Sequence, residues 1–259
     1  MCGRFVSARK RLELLEEFAV ERDRVAHDRE PDYNVAPTKR IFTVLDRQDD
    51  EDEQPKRELR LVRWGLVPSW AKSTSGGARM INARAETVAV KPAFRSAFTR
   101  RRCIIPADGY YEWQTTGKVK QPYYIYRTDS GFLAFAGIYE LWRDESVPDD
   151  HEQAWYWSAA IITTDAADDI GKIHDRTPMV IAPESWADWL DPANNEKELL
   201  RATMLPATTS GAGGLTSHTV STAVNSVRNN GPDLVEPFVD DGSPDRGSGS
   251  GEGERPPLF

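Results

Sequence analysis

Arg101-Arg102-Cys103-Ile104-Ile105-Pro106-Ala107-Asp108-Gly109-Tyr110-Tyr111-Glu112-Trp113 reads as a strand followed by a turn. It is odd for that combination in one respect. Glu112 lies between Tyr111 and Trp113, where a carboxylate is poorly solvated. Outward from this stretch, residues 123–127, 132–139 and 156–164 are further runs of aromatic and branched side chains, the composition of strands. Residues 41–45 and 58–66 form a strand pair flanking an acidic loop at 48–53, and 216–220 is a late strand. Leu12, Leu15 and Phe18 recur at helical spacing within 9–19. Short helices are expected at 92–101, where Phe94, Ala97 and Phe98 share a face, and at 165–172, 184–190 and 196–204. Residues 31–37 read as a loop, with 34–37 extended ahead of the proline. Strands and helices alternate without a steady βα rhythm. The expected class is therefore α+β, an antiparallel or barrel-like mixed sheet with short flanking helices.

The chain has 259 residues, of which 39% are hydrophobic, enough for a sizeable core. No run approaches the ~20 apolar residues of a membrane span, and the start lacks the apolar run of a secretory signal. Two cysteines, Cys2 and Cys103, make no disulfide framework and no metal-type pairing. A reduced, cytoplasmic protein without metal or other cofactor is expected, and nothing in the chain demands more than a monomer. The net charge is −8, an argument against nucleic acid that segregation of charge can defeat. The stretch from Arg79 to Arg102 holds six arginines and one lysine against one glutamate. One domain over 2–238 is expected, followed by an Asp-, Gly-, Ser- and Pro-rich disordered tail at 239–259.

Chemistry concentrates at the chain start, Met1-Cys2-Gly3-Arg4-Phe5. Cysteine is small enough for methionine removal to be expected. The mature chain then presents an α-amine and a thiol on adjacent carbons. An amine condenses with an aldehyde to an imine, and the thiolate closes onto the imine carbon to give a thiazolidine. The α-amine titrates near ~7.8 and a lysine near ~10.4, so at neutral pH the α-amine is far more often nucleophilic. The thiol's closeness to the imine carbon compensates for its small thiolate fraction. The plain alternative is a start codon followed by an incidental small residue.

Four other places carry chemistry. Desolvation of Glu112 raises its pKa and makes it a proton donor near neutrality; an exposed strand-edge glutamate is the alternative. His174, in Ile173-His174-Asp175-Arg176-Thr177-Pro178-Met179, can pass protons at neutral pH or simply be structural. In Met80-Ile81-Asn82-Ala83-Arg84-Ala85-Glu86-Thr87, Asn82 and Arg84 share a face if the segment is extended. Asn82 can then hold the N-terminus and Arg84 can clamp a phosphate, against a surface turn with ordinary ion pairs. Trp64 and Trp70 flank a turn, as core or, for Trp70, as a platform for an unstacked base.

Together these segments, with Tyr33-Asn34-Val35-Ala36-Pro37-Thr38 and Val224-Asn225 through Gly231-Pro232-Asp233-Leu234-Val235-Glu236-Pro237, resemble the SOS-response-associated peptidase (SRAP) family, whose members act as abasic-site processing proteins. The resemblance runs in order over residues 2 to 238. It implies the SRAP fold and recognition of abasic sites in single-stranded DNA, with a covalent thiazolidine crosslink through Cys2. It also implies that Asn82 positions the cysteine and that Glu112 transfers protons during imine and ring formation. His174 would assist sugar-ring opening and crosslink reversal. Arg4, Arg84, Trp70 and Pro37 would line the DNA groove. The peptidase label would refer to removal of Met1, and strand cleavage at the imine would be a lyase side activity.

Two features depart from the family pattern: the acidic expansion at 48–53, and Thr177 where a methionine is common. The terminal Arg255-Pro256-Pro257-Leu258-Phe259 is a candidate clamp-binding peptide, set against a plain disordered end. Competing readings are a Cys2-dependent peptidase or amidase that forms no DNA adduct, and a non-covalent reader of modified bases.

Overall fold

The computed structural model describes residues 2–49, 53–148, 151, 154–207 and 214–238. The expected tail, its terminal peptide, and Asp50, Glu51 and Asp52 of the acidic loop lie outside the described residues. In chain order the strands are β1 (Phe5–Ser7), β2 (Arg22–Asp23), β3 (Asp32–Val35), β4 (Arg40–Arg47), β5 (Lys56–Trp64), β6 (Asn82–Arg84), β7 (Arg102–Ala107), β8 (Gly109–Thr116), β9 (Val119–Arg127), β10 (Leu133–Arg143), β11 (Trp155–Asp165), β12 (Arg176–Ile181), β13 (Met204–Pro206) and β14 (Leu215–Thr219). The helices are α1 (Arg11–Glu17), α2 (Arg95–Arg100), α3 (Asp168–Ile173), α4 (Trp186–Leu190) and α5 (Lys197–Thr203). No helix among the described residues is long and apolar enough to cross a membrane.

The class is α+β, with two sheets. In the larger one, β10 pairs with β7, β7 with β4, β4 with β5, β5 with β11, and β11 with β10 again, so five strands close a ring. Within that ring only the β5–β11 pairing is parallel. Period-2 alternation explains why the ring's strands are buried on both faces. Phe42 and Val44 face one cluster, shared with Leu14 of α1, Phe18 just past its end, Phe98 of α2 and Trp189 of α4. Ile41 and Leu45 face another, shared with Phe5, Tyr110 and Ile125 of the second sheet.

The second sheet has the order β14-β9-β8-β1-β3. On β8, Tyr110 joins the cluster shared with the ring. Tyr111 faces the other way, under Val220, Val224 and Leu234 of the C-terminal segment. Strands β7 and β8 are consecutive, yet they belong to different sheets. Asp108 makes the crossing, its N–H donating to Val6 O at 2.9 Å. Gly109 follows because a Cβ there would sit 2.6 Å from the ring of Tyr124.

The expected loop at 31–37 contains strand β3 instead. Asp32, within it, accepts from Lys39 Nζ at 2.8 Å and from the Asn34 N–H at 3.0 Å. Asn34, also within it, is buried and finds carbonyl partners. Polar composition thus read as a loop what side-chain pairing makes a strand. Arg102, counted in the basic stretch, is 2% exposed. Its guanidinium donates to the carbonyls of Phe98 (3.1 Å), Trp189 (2.6 Å), Asp191 (2.5 Å) and Asn194 (2.8 Å). Burial pulls its pKa down to about 10. A planar fork reaches several acceptors that a point charge cannot. Arg102→Lys is therefore expected to lower stability by on the order of 3 kcal/mol, read as a lower denaturant midpoint at unchanged slope.

Candidate active site

Strand β1 lies between β8 and β3, with Phe5 opposite Tyr110 on one side and Val35 on the other. The residues just ahead of it are thereby delivered into the cluster shared by both sheets. Cys2 is fully buried there, in one cluster with Phe5, Trp64 and Tyr110. Gly3 and Arg4 are half-buried. The Arg4 carbonyl accepts from Tyr111 N–H at 2.9 Å. The Arg4 guanidinium donates to Asn34 Oδ1 at 2.6 Å and to the carbonyls of Val224 and Asn225 at 2.9 and 3.4 Å. Asn34 Nδ2 in turn reaches the carbonyls of Val224, Ser226 and Asn229. The first strand is thus tied to the last folded segment.

Asn82 arrives from another direction. Strand β6 pairs in parallel with β11, Asn82 opposite Ile161. Asn82 Nδ2 donates to Cys2 O at 2.8 Å. Its Oδ1 is buried and has no partner among the described residues, an acceptor left for a donor to fill. Just behind, Trp64 Nε1 donates to Ile81 O at 2.9 Å. Gly65 has φ +126°, and a Cβ there would lie 2.6 Å from Gly77 O. That crossing of two backbones, open only to glycine, fixes the approach to Asn82.

Glu112 is 2% exposed. Burial pushes its pKa up to about 7, and the charge of Asp175 adds to the effect. Burial, and then the Glu112 charge, push the Cys2 thiol well above its ordinary value. A buried neutral thiol needs a base before it can attack, and Glu112 is close enough to act on its titration. His174 caps α3 in extended conformation, with Nε2 3.9 Å from Glu112 Oε2. Burial lowers its pKa, so the neutral imidazole prevails near pH 7. The backbone N–H of Arg176 donates to Nδ1 at 3.0 Å, which leaves the proton of the neutral ring on Nε2, toward Glu112. Asp175 Oδ1 lies 2.9 Å from the same Nδ1 and supports the imidazolium when it forms. Two titratable groups this close, one raised toward neutrality and the other lowered, have the chemistry to pass a proton between them.

Two supports were not read from the sequence. Arg176 reaches Glu86 at 2.8 Å, Asp165 at 2.5 Å and Thr163 O at 2.7 Å, fixing the start of β12 and with it His174. Glu86 of the 80–87 segment does form an ion pair, as the plainer alternative for that segment had it, and the pair holds Arg176. Thr177 is buried, and its hydroxyl donates to Ala207 O at 3.1 Å. It therefore accepts from Tyr110 OH, 3.1 Å away. The unusual threonine is thus fully paired and anchors the strand that follows His174.

Cys2, Asn82, Glu112 and His174 are brought together. The four expected groove residues are not alike. Arg84 is exposed, opposite Thr163 in the β6–β11 ladder. Trp70 is 69% exposed, beside Trp142, whose Nε1 donates to Ala71 O at 2.6 Å. Pro37 is half-buried. Arg4 is committed to internal carbonyls. Asp49 of the acidic loop pairs with Arg22, Arg24 and Arg47. Among the described residues no group of three or more His, Cys, Asp or Glu is placed to hold a metal ion.

A model of the SOS response associated peptidase (SRAP) family matches residues 1–227. The abasic site processing protein YoqW of Bacillus subtilis is 37% identical over 237 residues, 91% of this chain and 99% of that protein. The abasic site processing protein YedK of Escherichia coli is 34% identical over 245 residues, 92% of this chain and 100% of that protein. A chicken (Gallus gallus) relative, the abasic site processing protein HMCES, is 33% identical over 238 residues, 80% of this chain and 66% of its own length. The crystal structure of a protein from Bacteroides thetaiotaomicron matches with a TM-score of 0.75 at 25% identity, covering 92% of this chain and all of that one.

Proposed function

The chain belongs to the SOS response associated peptidase family, and from that membership we propose that it processes abasic sites in single-stranded DNA by covalent capture at Cys2. The catalytic unit is residues 2–238, with 239–259 a tail. Hydrolysis of the Met1–Cys2 bond frees the α-amine. The amine adds to the C1′ aldehyde of the ring-opened sugar, giving a carbinolamine. Glu112 in its acid form protonates the departing hydroxyl, and water leaves as the imine forms. Glu112, now a carboxylate, takes the thiol proton of Cys2. The thiolate adds to the carbon of the protonated imine, which leaves the ring nitrogen neutral with its one hydrogen and Glu112 protonated again. The thiazolidine is closed and one water has been released in all. Asn82 holds the Cys2 carbonyl while its unpaired Oδ1 receives an amine hydrogen. His174 relays protons to Glu112 and opens the sugar hemiacetal. The imine alone permits β-elimination of the strand. Ring closure suppresses it, so lyase activity is a side path and the adduct protects the site.

The observation that carries this reading is the convergence of the Asn82 amide on Cys2 with a buried, half-protonated Glu112 alongside. The test is the intact mass of the product with an abasic oligonucleotide. The expected mass is the sum of processed protein and DNA less one water, unchanged by borohydride, since a thiazolidine has no C=N bond to reduce. A product that gains two hydrogens under borohydride, or the absence of any covalent product, overturns the reading.

A further inference from the structure

Beyond the site at Cys2 the chain has a second concentration of positive charge in an open cleft of about 400 Å³. Arg24, Arg29, Arg40 and Arg60 line it, with Trp157 forming part of the wall. The chain is acidic overall, so four guanidiniums around one cleft stand out against its charge. Their counter-charges are unevenly shared. Arg24 and Arg60 are held by Glu58, at 3.3 and 2.6 Å, and Arg60 also lies 4.2 Å over the Trp157 ring. The carboxylate in the lining, Asp28, pairs with Arg11 at 3.0 Å. Arg29 spends one N–H on Arg40 O at 2.8 Å and meets Asp32 only at 3.9 Å. Arg40 is exposed, and its guanidinium has no hydrogen bond or ion pair among the described residues. Burial lowers the pKa of Arg29; the charge of Asp32 opposes that shift and the charge of Arg40 adds to it.

The location gives the cleft its meaning. Arg40 opens β4 three residues after Pro37, no more than about 10 Å of chain. Its ladder partner Arg63 immediately precedes Trp64, which packs in the cluster holding Cys2. From these observations we infer that the Arg29–Arg40 cleft is a phosphodiester subsite, taking the backbone of the bound strand a few nucleotides beyond the captured sugar. The unpaired guanidinium of Arg40, beside that of Arg29 in an open cleft, fits a diester through charge-assisted hydrogen bonds and counterion release. The inference rests on the strand-binding reading above.

The experiment measures Kd against salt for single-stranded oligonucleotides bearing a central abasic analogue that cannot react. One is short. Two others are extended by about six nucleotides on either side. In the wild type, one extension is expected to raise affinity. Arg40→Glu is expected to cut that gain roughly three- to tenfold and to lower the salt slope by about 1. Arg40→Gln should fall between the two. Equal weakening on the short and extended strands, or no effect of Arg40→Glu on either extension, overturns the subsite. Wild-type crosslinking to a reactive short oligonucleotide reports separately on the reading at Cys2. Arg40 is exposed, so unchanged thermal midpoints are expected for both variants, and a midpoint drop in Arg40→Glu leaves Arg40→Gln to decide.

Discussion

Cys2→Ala is expected to abolish the stable adduct while leaving an imine that borohydride traps. The variant keeps a small residue at position 2, so the same amine is exposed after processing. It keeps Asn82 and Glu112 as well. It lacks only the thiol. A nucleophile fixed one carbon away is worth an effective concentration of roughly 10⁵ M or more, and the other thiol in the cluster, Cys103, is fully buried with its pKa pushed well up by burial, so it does not replace it. With closure removed, the imine persists and β-elimination proceeds. Strand scission should therefore rise as the heat-stable crosslink disappears. Gel analysis with and without borohydride separates the two. Full crosslinking by Cys2→Ala would assign capture to another group. Loss of both adduct and imine would mean the residue ahead was never removed.

Glu112→Gln is expected to slow crosslinking by roughly a hundred- to ten-thousand-fold, the usual range for a positioned proton donor and acceptor. The amide occupies the same space but cannot exchange protons. The wild-type rate should bend near pH 7, where Glu112 titrates, and the variant should lose that bend. The substitution also has an opposite effect on stability. The folded-state pKa is about 7, against an ordinary value of 4.5. Between those pH values the folded protein binds more protons than the unfolded chain, so stability falls as pH rises through the window. Above it, the buried carboxylate costs on the order of 3 kcal/mol. Glutamine does not titrate. The variant's stability relative to wild type should thus improve from about pH 4.5 to about pH 7 and stay level above. Denaturation curves at several pH values check this, and a pH-independent difference would mean that Glu112 is solvated.

Much of the ring was legible because its strands carry one-sided signals in duplicate: Ile41 and Leu45 toward one cluster, Phe42 and Val44 toward the other. The oddity of Glu112 was legible too, since Tyr111 and Trp113 announce its surroundings. The sheet exchange at Asp108 was not, because one residue between two apolar runs reads as a simple turn. Strand β3 was hidden by polar residues whose partners lie up to 195 positions away, such as Asn34 with Asn229. Arg102 was counted as surface charge because composition cannot distinguish a guanidinium in water from one among carbonyls. Thr177 looked like a blemish until its acceptor, Ala207 O, was in place.

The bond from Arg4 to Val224 O spans 220 positions. Translation makes the first of these residues long before the second. Until the later segment has cleared the ribosome, β1 lacks that tether. Topology of this kind folds slowly, since distant contacts must close before they reward the chain. An emerging polypeptide is therefore expected to hold its first strand unfastened for a time, although Asn82 and Glu112 are already made. A product cut short of residue 224 is expected to carry Cys2 on a strand without that clasp.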